Sequence, residues 1–148
     1  MPTQTLIYSL GYLGLIPFVA TLLALIAGEN WFFVDNSKLF STYSAVILSF
    51  LGGVLWGRSI GLSNSATRYL FLFSNAMALL AWLSLLLVES FSSITLGLLI
   101  AGYAALLLIE YVGYRRFLSD VNQGYLTMRI NLTSLVILAH LIALPYFN

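Results

Sequence analysis

From Leu6 to Ala27 the chain runs for 22 residues without a charged side chain. A helix of that length rises about 33 Å, enough to cross a hydrocarbon layer of roughly 30 Å. Four further predominantly apolar runs follow, at 39–57, 69–88, 91–113 and 126–145. Inside a bilayer no water is at hand for backbone N–H and C=O groups, so each run must satisfy its own as a helix. The expected fold class is all-α: a polytopic membrane protein with five transmembrane helices, spans 6–27, 39–57, 69–88, 91–113 and 126–145, joined by short loops in one domain over 1–148. Composition agrees. Hydrophobic residues make up 61% and charged residues 7% of the 148, against about 25% charged in soluble domains, and the mean hydropathy is +0.99.

Several classes fall away. There are no cysteines, so disulfides, thiol catalysis and cysteine metal sites are excluded. A net charge of +1 argues against a nucleic-acid partner. No Lys or Arg precedes Leu6, and the first run is too long for a signal peptide and lacks a small-x-small cleavage site, so it reads as a retained span. A single histidine rules out a multi-histidine metal site, and no glycine-rich phosphate loop, HExxH or serine–histidine–acid spacing is present. No catalytic residue, metal site or cofactor is expected, although bound lipid fits such a chain, and the expectation is a protein that is not an enzyme.

The densest pattern is AVILSFLGGVLWGRSIG, Ala45–Gly61. Ala45, Ser49, Gly53, Gly57 and Gly61 follow one another at intervals of four, which places them on one helix face. In lipid such small-xxx-small faces let helices approach closely. Gly97, Ala101 and Ala105 form a second small face on the fourth span, the natural complement of the first, and a second subunit would fit equally well. Pro17 sits mid-span and removes the donor for the Leu13 carbonyl, so the first helix is expected to bend. Either this is ordinary membrane-helix composition, or the bend lines a cavity.

Polar residues inside the spans are the candidate functional ones, because lipid makes them costly. Asn75 needs a partner on a neighbouring helix or a ligand. Glu110 lies about one turn inside the end of its span and should be held by an arginine, with Arg58, Arg115, Arg116 and Arg129 in reach; a proton-carrying or headgroup-binding role is the alternative. His140 reads as a neutral imidazole hydrogen-bonded across helices, or as a quinone-, haem- or proton-handling group. Arg58, Arg68, Asn75, Glu110, Arg129 and Asn131 gather near one edge, a candidate site for an anionic lipid headgroup or small anion.

With five spans, Arg58, Arg68, Arg115, Arg116 and Arg129 share one side, and Lys38 with Glu29, Asp35 and Glu89 the other. This positive-inside bias places the N-terminus inside and the C-terminus outside. Tyr69, Tyr111, Tyr114 and Tyr125 would mark the inner belt, Trp31 and Tyr146 the outer one.

Two stretches, YSLGYLGLIPFV at Tyr8–Val19 and AVILSFLGGVLWG at Ala45–Gly57, resemble the signatures of the DUF3429 family, which includes a transmembrane protein 69 group. The likeness covers essentially the whole chain, with its core at Gly52, Gly53, Trp56 and Gly57. Where relatives carry histidine before the tryptophan, Leu55 stands here, so a role for that histidine would be missing from this member. The resemblance implies a multi-span protein of a bacterial inner membrane or one of mitochondrial ancestry, and no defined activity. Combined with the arginine bias, the expected location is the bacterial inner (cytoplasmic) membrane, N-terminus cytoplasmic and C-terminus periplasmic. The expected function is a non-catalytic structural or accessory protein, packing as a homo-oligomer or with a larger membrane complex. The alternatives are a small transporter or channel, or a binder of lipid or quinone.

Overall fold

A computed structural model describes residues 3–28, 34–60, 66–116 and 123–147. Trp31 and Gly61 lie outside it, as do the side chains of Tyr114, Arg115 and Arg116. The first apolar run forms two helices, α1 (Thr3–Leu13) and α2 (Leu15–Ala27), broken at Gly14. Pro17 brings no N–H, so Leu13 loses its i+4 donor. The neighbouring Gly14 carbonyl accepts a cross-helix hydrogen bond from the Tyr43 hydroxyl, 2.8 Å. At the other end α2 stops on Gly28, whose φ of 69° suits glycine and whose N–H returns to the Leu25 carbonyl.

Helix α3 (Asn36–Ser59) opens on Asp35, whose Oδ1 accepts from the Ser37 N–H at 2.7 Å. Then come α4 (Ala66–Leu87), α5 (Ser92–Arg116) and α6 (Gln123–Ala143), which ends in a tight 3-10 turn over Leu144–Tyr146 at Pro145. The Ser92 hydroxyl donates back to the Val88 carbonyl at 3.1 Å, serving the end of α4. Five segments are long and apolar enough to cross a membrane: Gln4–Ala27, Asn36–Ser59, Thr67–Leu87, Ser92–Gly113 and Gly124–Tyr146. The structure is thus an all-α five-span bundle with short connections, and span ends lie within a few residues of the sequence expectation.

Helix α3 is the centre. It packs most extensively on α4 and also meets α2 and α5, while α6 closes against α5, α2 and α1. The core holds Phe18, Phe40, Leu48, Leu96, Leu99, Tyr103 and Val136. The outer surface is equally apolar, with Phe50, Leu72, Leu79 and Trp82 turned outward. At one end Lys38 and Glu89 form an exposed ion pair that ties the start of α3 to the α4–α5 turn.

The small-residue ladder is not the α3 interface within this chain. Ala45 is buried and Ser49 half-buried, but Gly53 and Gly57 face outward, and a Cβ built on either meets nothing within 4 Å. The reason is helical drift. Four residues at 3.6 per turn overshoot a full turn by about 40°, so a strict i+4 series winds off the contact line. The buried line on α3 steps by three and four: Ser41, Ser44, Leu48, Gly52, Leu55, Ser59. Gly52 is the close approach, where an added Cβ would lie 3.0 Å from the Ser74 carbonyl oxygen of α4. On α5, Gly97 and Ala101 likewise face outward and Ala105 is half-buried. There Gly102 makes the contact, against Leu48 and Leu80.

Candidate functional site

Helix α2 packs on both α3 and α6, and α1 packs on α6 and on α2. A crevice of about 400 Å³ opens between α1, α3 and α6. Leu10, Phe18, Ile47, Leu51, Leu132 and Val136 are among its lining residues, and nearly all of its surface is carbon. Ile7, Leu10 and Phe50 are outward-facing as well as lining it, so the crevice is open to the surrounding lipid. Its polar contributions come from Tyr103 on α5 and from Tyr125, Arg129 and Thr133 on α6. The last three are spaced by four and stack along one wall.

At the arginine-bearing end, Arg129 and Glu110 form a pair in which each side chain is only 5% exposed. The arginine Nε donates to Glu110 Oε2 at 2.9 Å. Nη2 lies 2.9 Å from the same oxygen, an ion-pair contact, and among the described residues neither it nor Glu110 Oε1, both buried, has an aligned hydrogen-bond partner. Arg129 is therefore the arginine that holds Glu110. Such a pair is strongly coupled to its surroundings, since removing one partner strands the other charge in a medium of low dielectric.

The other residues of the anticipated edge cluster do not join it. Arg58 lies 4.6 Å from the centre of the Tyr125 ring, a cation–π contact that pins the end of α3 to α6. Arg68, Asn75 and Asn131 face outward. Asn75 satisfies its amide on its own helix, donating to the Phe71 carbonyl at 2.9 Å. Shared depth does not make a shared site. Asn131 is two residues after Arg129, about 200° around the helix, so both cannot face inward.

His140 belongs to a separate, deeper network. Its Nδ1 is 2.8 Å from the Val136 carbonyl, which can only accept, so Nδ1 carries the proton. Nε2 then accepts from the Ser44 hydroxyl at 2.8 Å. The Tyr103 hydroxyl donates to the Ser44 carbonyl, also at 2.8 Å. Phe40, Tyr103 and Phe18 surround the imidazole with ring centres 4.8, 5.7 and 6.0 Å away. Both ring nitrogens are engaged and the ring is fully buried. Sequence reasoning found His140 but not Tyr103. The available signal was Tyr103 itself, a hydroxyl near the middle of a span, where an unpaired donor is costly.

Comparison with known proteins places this architecture among relatives. The family described as "Protein of unknown function (DUF3429)" matches residues 3–145. Transmembrane protein 69 of Xenopus tropicalis is 45% identical over 80 residues, covering 52% of this chain and 31% of that protein. The chain thus aligns with about a third of the length of this curated relative. No solved structure matches. That the relative is eukaryotic overturns the expected bacterial inner membrane. Arginine asymmetry reports on which loops stay on the insertion side, and it carries nothing about which membrane is involved.

Proposed function

The chain belongs to the DUF3429 family, and we propose that it is a non-catalytic membrane protein that holds the apolar tail of an amphiphile in the crevice between α1, α3 and α6. The carrying observation is the crevice itself. Its 400 Å³ falls in the range of about 300–1,000 Å³ found for small-molecule sites. It is walled mostly by carbon and bordered by outward-facing Ile7, Leu10 and Phe50. An ion path is disfavoured by the same features. Glu110 is engaged by Arg129, His140 is enclosed by aromatic rings, and Asn75 faces outward.

Photolabelling tests this. A phospholipid with a diazirine in its acyl chain, irradiated with the protein in bilayers, should label Leu51, Val54 and Leu132. Leu51→Trp, which fills the crevice, should lower that labelling several-fold while labelling of outward Leu79 on α4 is unchanged. Uniform labelling of all lipid-facing positions, insensitive to Leu51→Trp, would refute the reading.

A second reading, an accessory protein that assembles with itself or with a larger membrane complex, is favoured by one observation. Gly53 and Gly57 leave an outward face on α3 where a Cβ meets nothing within 4 Å, and bare faces of this kind suit close helix approach. Cysteines at Gly53 should then cross-link in native membranes.

A further inference from the structure

Resting on the crevice reading, we propose that Arg58 stands at the mouth of the crevice and that the amphiphile held there carries an anionic head, a carboxylate or a phosphate. Ile47, Leu51 and Val54 line the crevice from α3. Arg58 continues that row. The steps from Ile47 to Arg58 are four, three and four residues, which keeps all four on one helix face. The apolar wall of α3 therefore ends in a guanidinium. Its central carbon lies 4.6 Å from the centre of the Tyr125 ring on α6, and Tyr125 is itself a lining residue. Arg58 is half-buried and keeps accessible surface.

Charge selects the head. Among the described residues no acid pairs with Arg58. Glu110 is taken by Arg129, while Glu89 binds Lys38 and Asp35 caps α3, both at the opposite end. Glu110 cancels the charge of Arg129, and the other polar lining residues, Tyr103, Tyr125 and Thr133, are neutral hydroxyls. The uncompensated charge at this mouth is that of Arg58. A guanidinium presents five N–H donors in a planar fork that matches a carboxylate or a phosphate. Depth agrees. Arg58 is next to last in the span Asn36–Ser59, and Tyr125 is second in the span Gly124–Tyr146. A head bound there sits at the membrane boundary, and its tail descends along Val54 and Thr133 toward Leu51 and Val136. Fatty acids and acidic phospholipids share this chemistry.

The test uses the purified protein in phosphatidylcholine nanodiscs and probes with a diazirine in the tail. Phosphatidylglycerol is compared with phosphatidylcholine, and palmitate with methyl palmitate. Each acidic probe should label Leu51 roughly fivefold more strongly than its partner, the ratio that a partly exposed ion pair allows. The ratio at outward-facing Leu72, one turn from Arg68 on α4, should stay near one. Arg58→Gln should bring the Leu51 ratio to one. Arg58→Lys keeps the charge and should keep most of the preference, which separates recognition from a packing role of the Tyr125 contact. Arg68→Gln, at the same end but facing outward, should leave the preference intact. Preference within the phospholipid pair alone assigns the head to phosphate, and within the palmitate pair alone to carboxylate. Ratios of one in both pairs, with Leu51 still labelled, would overturn the anionic head and leave the crevice reading standing. A preference that survives Arg58→Gln, or that is equal at Leu72, would overturn the assignment to Arg58. No labelling of Leu51 by any probe would remove the crevice reading itself.

Discussion

Gly52 and Gly57 are both bare positions on α3, and their surroundings are opposite. A side chain at Gly52 would press on the Ser74 backbone oxygen 3.0 Å away, and backbone cannot swing aside. One at Gly57 would project into lipid. Overpacking of this kind costs about 1–3 kcal/mol. Gly52→Leu should therefore lower thermal stability in detergent clearly, and Gly57→Leu should leave the melting temperature within a degree or two of the parent. Equal losses would mean that α3 is rotated from the orientation described. The same reasoning separates the polar residues. Glu110 and His140 point inward and find Arg129 and Ser44, whereas Asn75, facing outward, folds its amide back on its own turn.

At the scale of elements, the split first span and the end-to-end clasp act in different ways. Pro17 withholds the donor that the Leu13 carbonyl would otherwise accept, close to the junction of α1 and α2. Pro17→Ala restores that hydrogen bond and should straighten the segment and narrow the crevice. The expected result is weaker acyl-probe labelling at Leu51 with unchanged or raised thermal stability. Labelling at parental strength would show that Gly14 alone sets the break. On the opposite end, the hydrogen bond and charge of Lys38 hold the Glu89 carboxyl below its ordinary value of 4.5. A depressed carboxylate contributes stability above that ordinary value and loses it as pH falls through the lower folded one. A melting-temperature profile taken downward from pH 7 should thus fall below about pH 4.5, and Glu89→Gln should flatten that part of it. Because both groups are exposed, added salt should shrink the difference.

For the whole molecule, five spans fix which connections share a face. The Lys38–Glu89 pair is direct structural support, since it brings the α2–α3 and α4–α5 connections to the same end. Cysteines introduced singly at Gly28 and Ser90 should react with a membrane-impermeant reagent from one face of sealed vesicles, and those at Ile60 and Gly124 from the other. Labelling of Gly28 and Ser90 from different faces would break the span count. The native chain has no cysteine to interfere. Across this assembly the polar chemistry is segregated, with the arginine-bearing end holding the ion pair beside the crevice and the opposite half holding the aromatic cage around His140.

The number of spans and their approximate ends were legible in the sequence, because hydrocarbon thickness and backbone self-satisfaction act on local stretches alone. The need of Glu110 for an arginine was legible too, since burial makes an unpaired acid costly wherever it sits. Which arginine, which glycine and which hydroxyl were not. Those depend on how each helix is rotated about its axis, and an i+4 ladder on a 3.6-residue helix cannot hold one direction for long. Rotation is set by the packing of neighbours, so only the tertiary structure could turn Gly52 rather than Gly53 toward α4, bring Ser44 to His140 and Arg129 to Glu110, and leave a crevice between α1, α3 and α6.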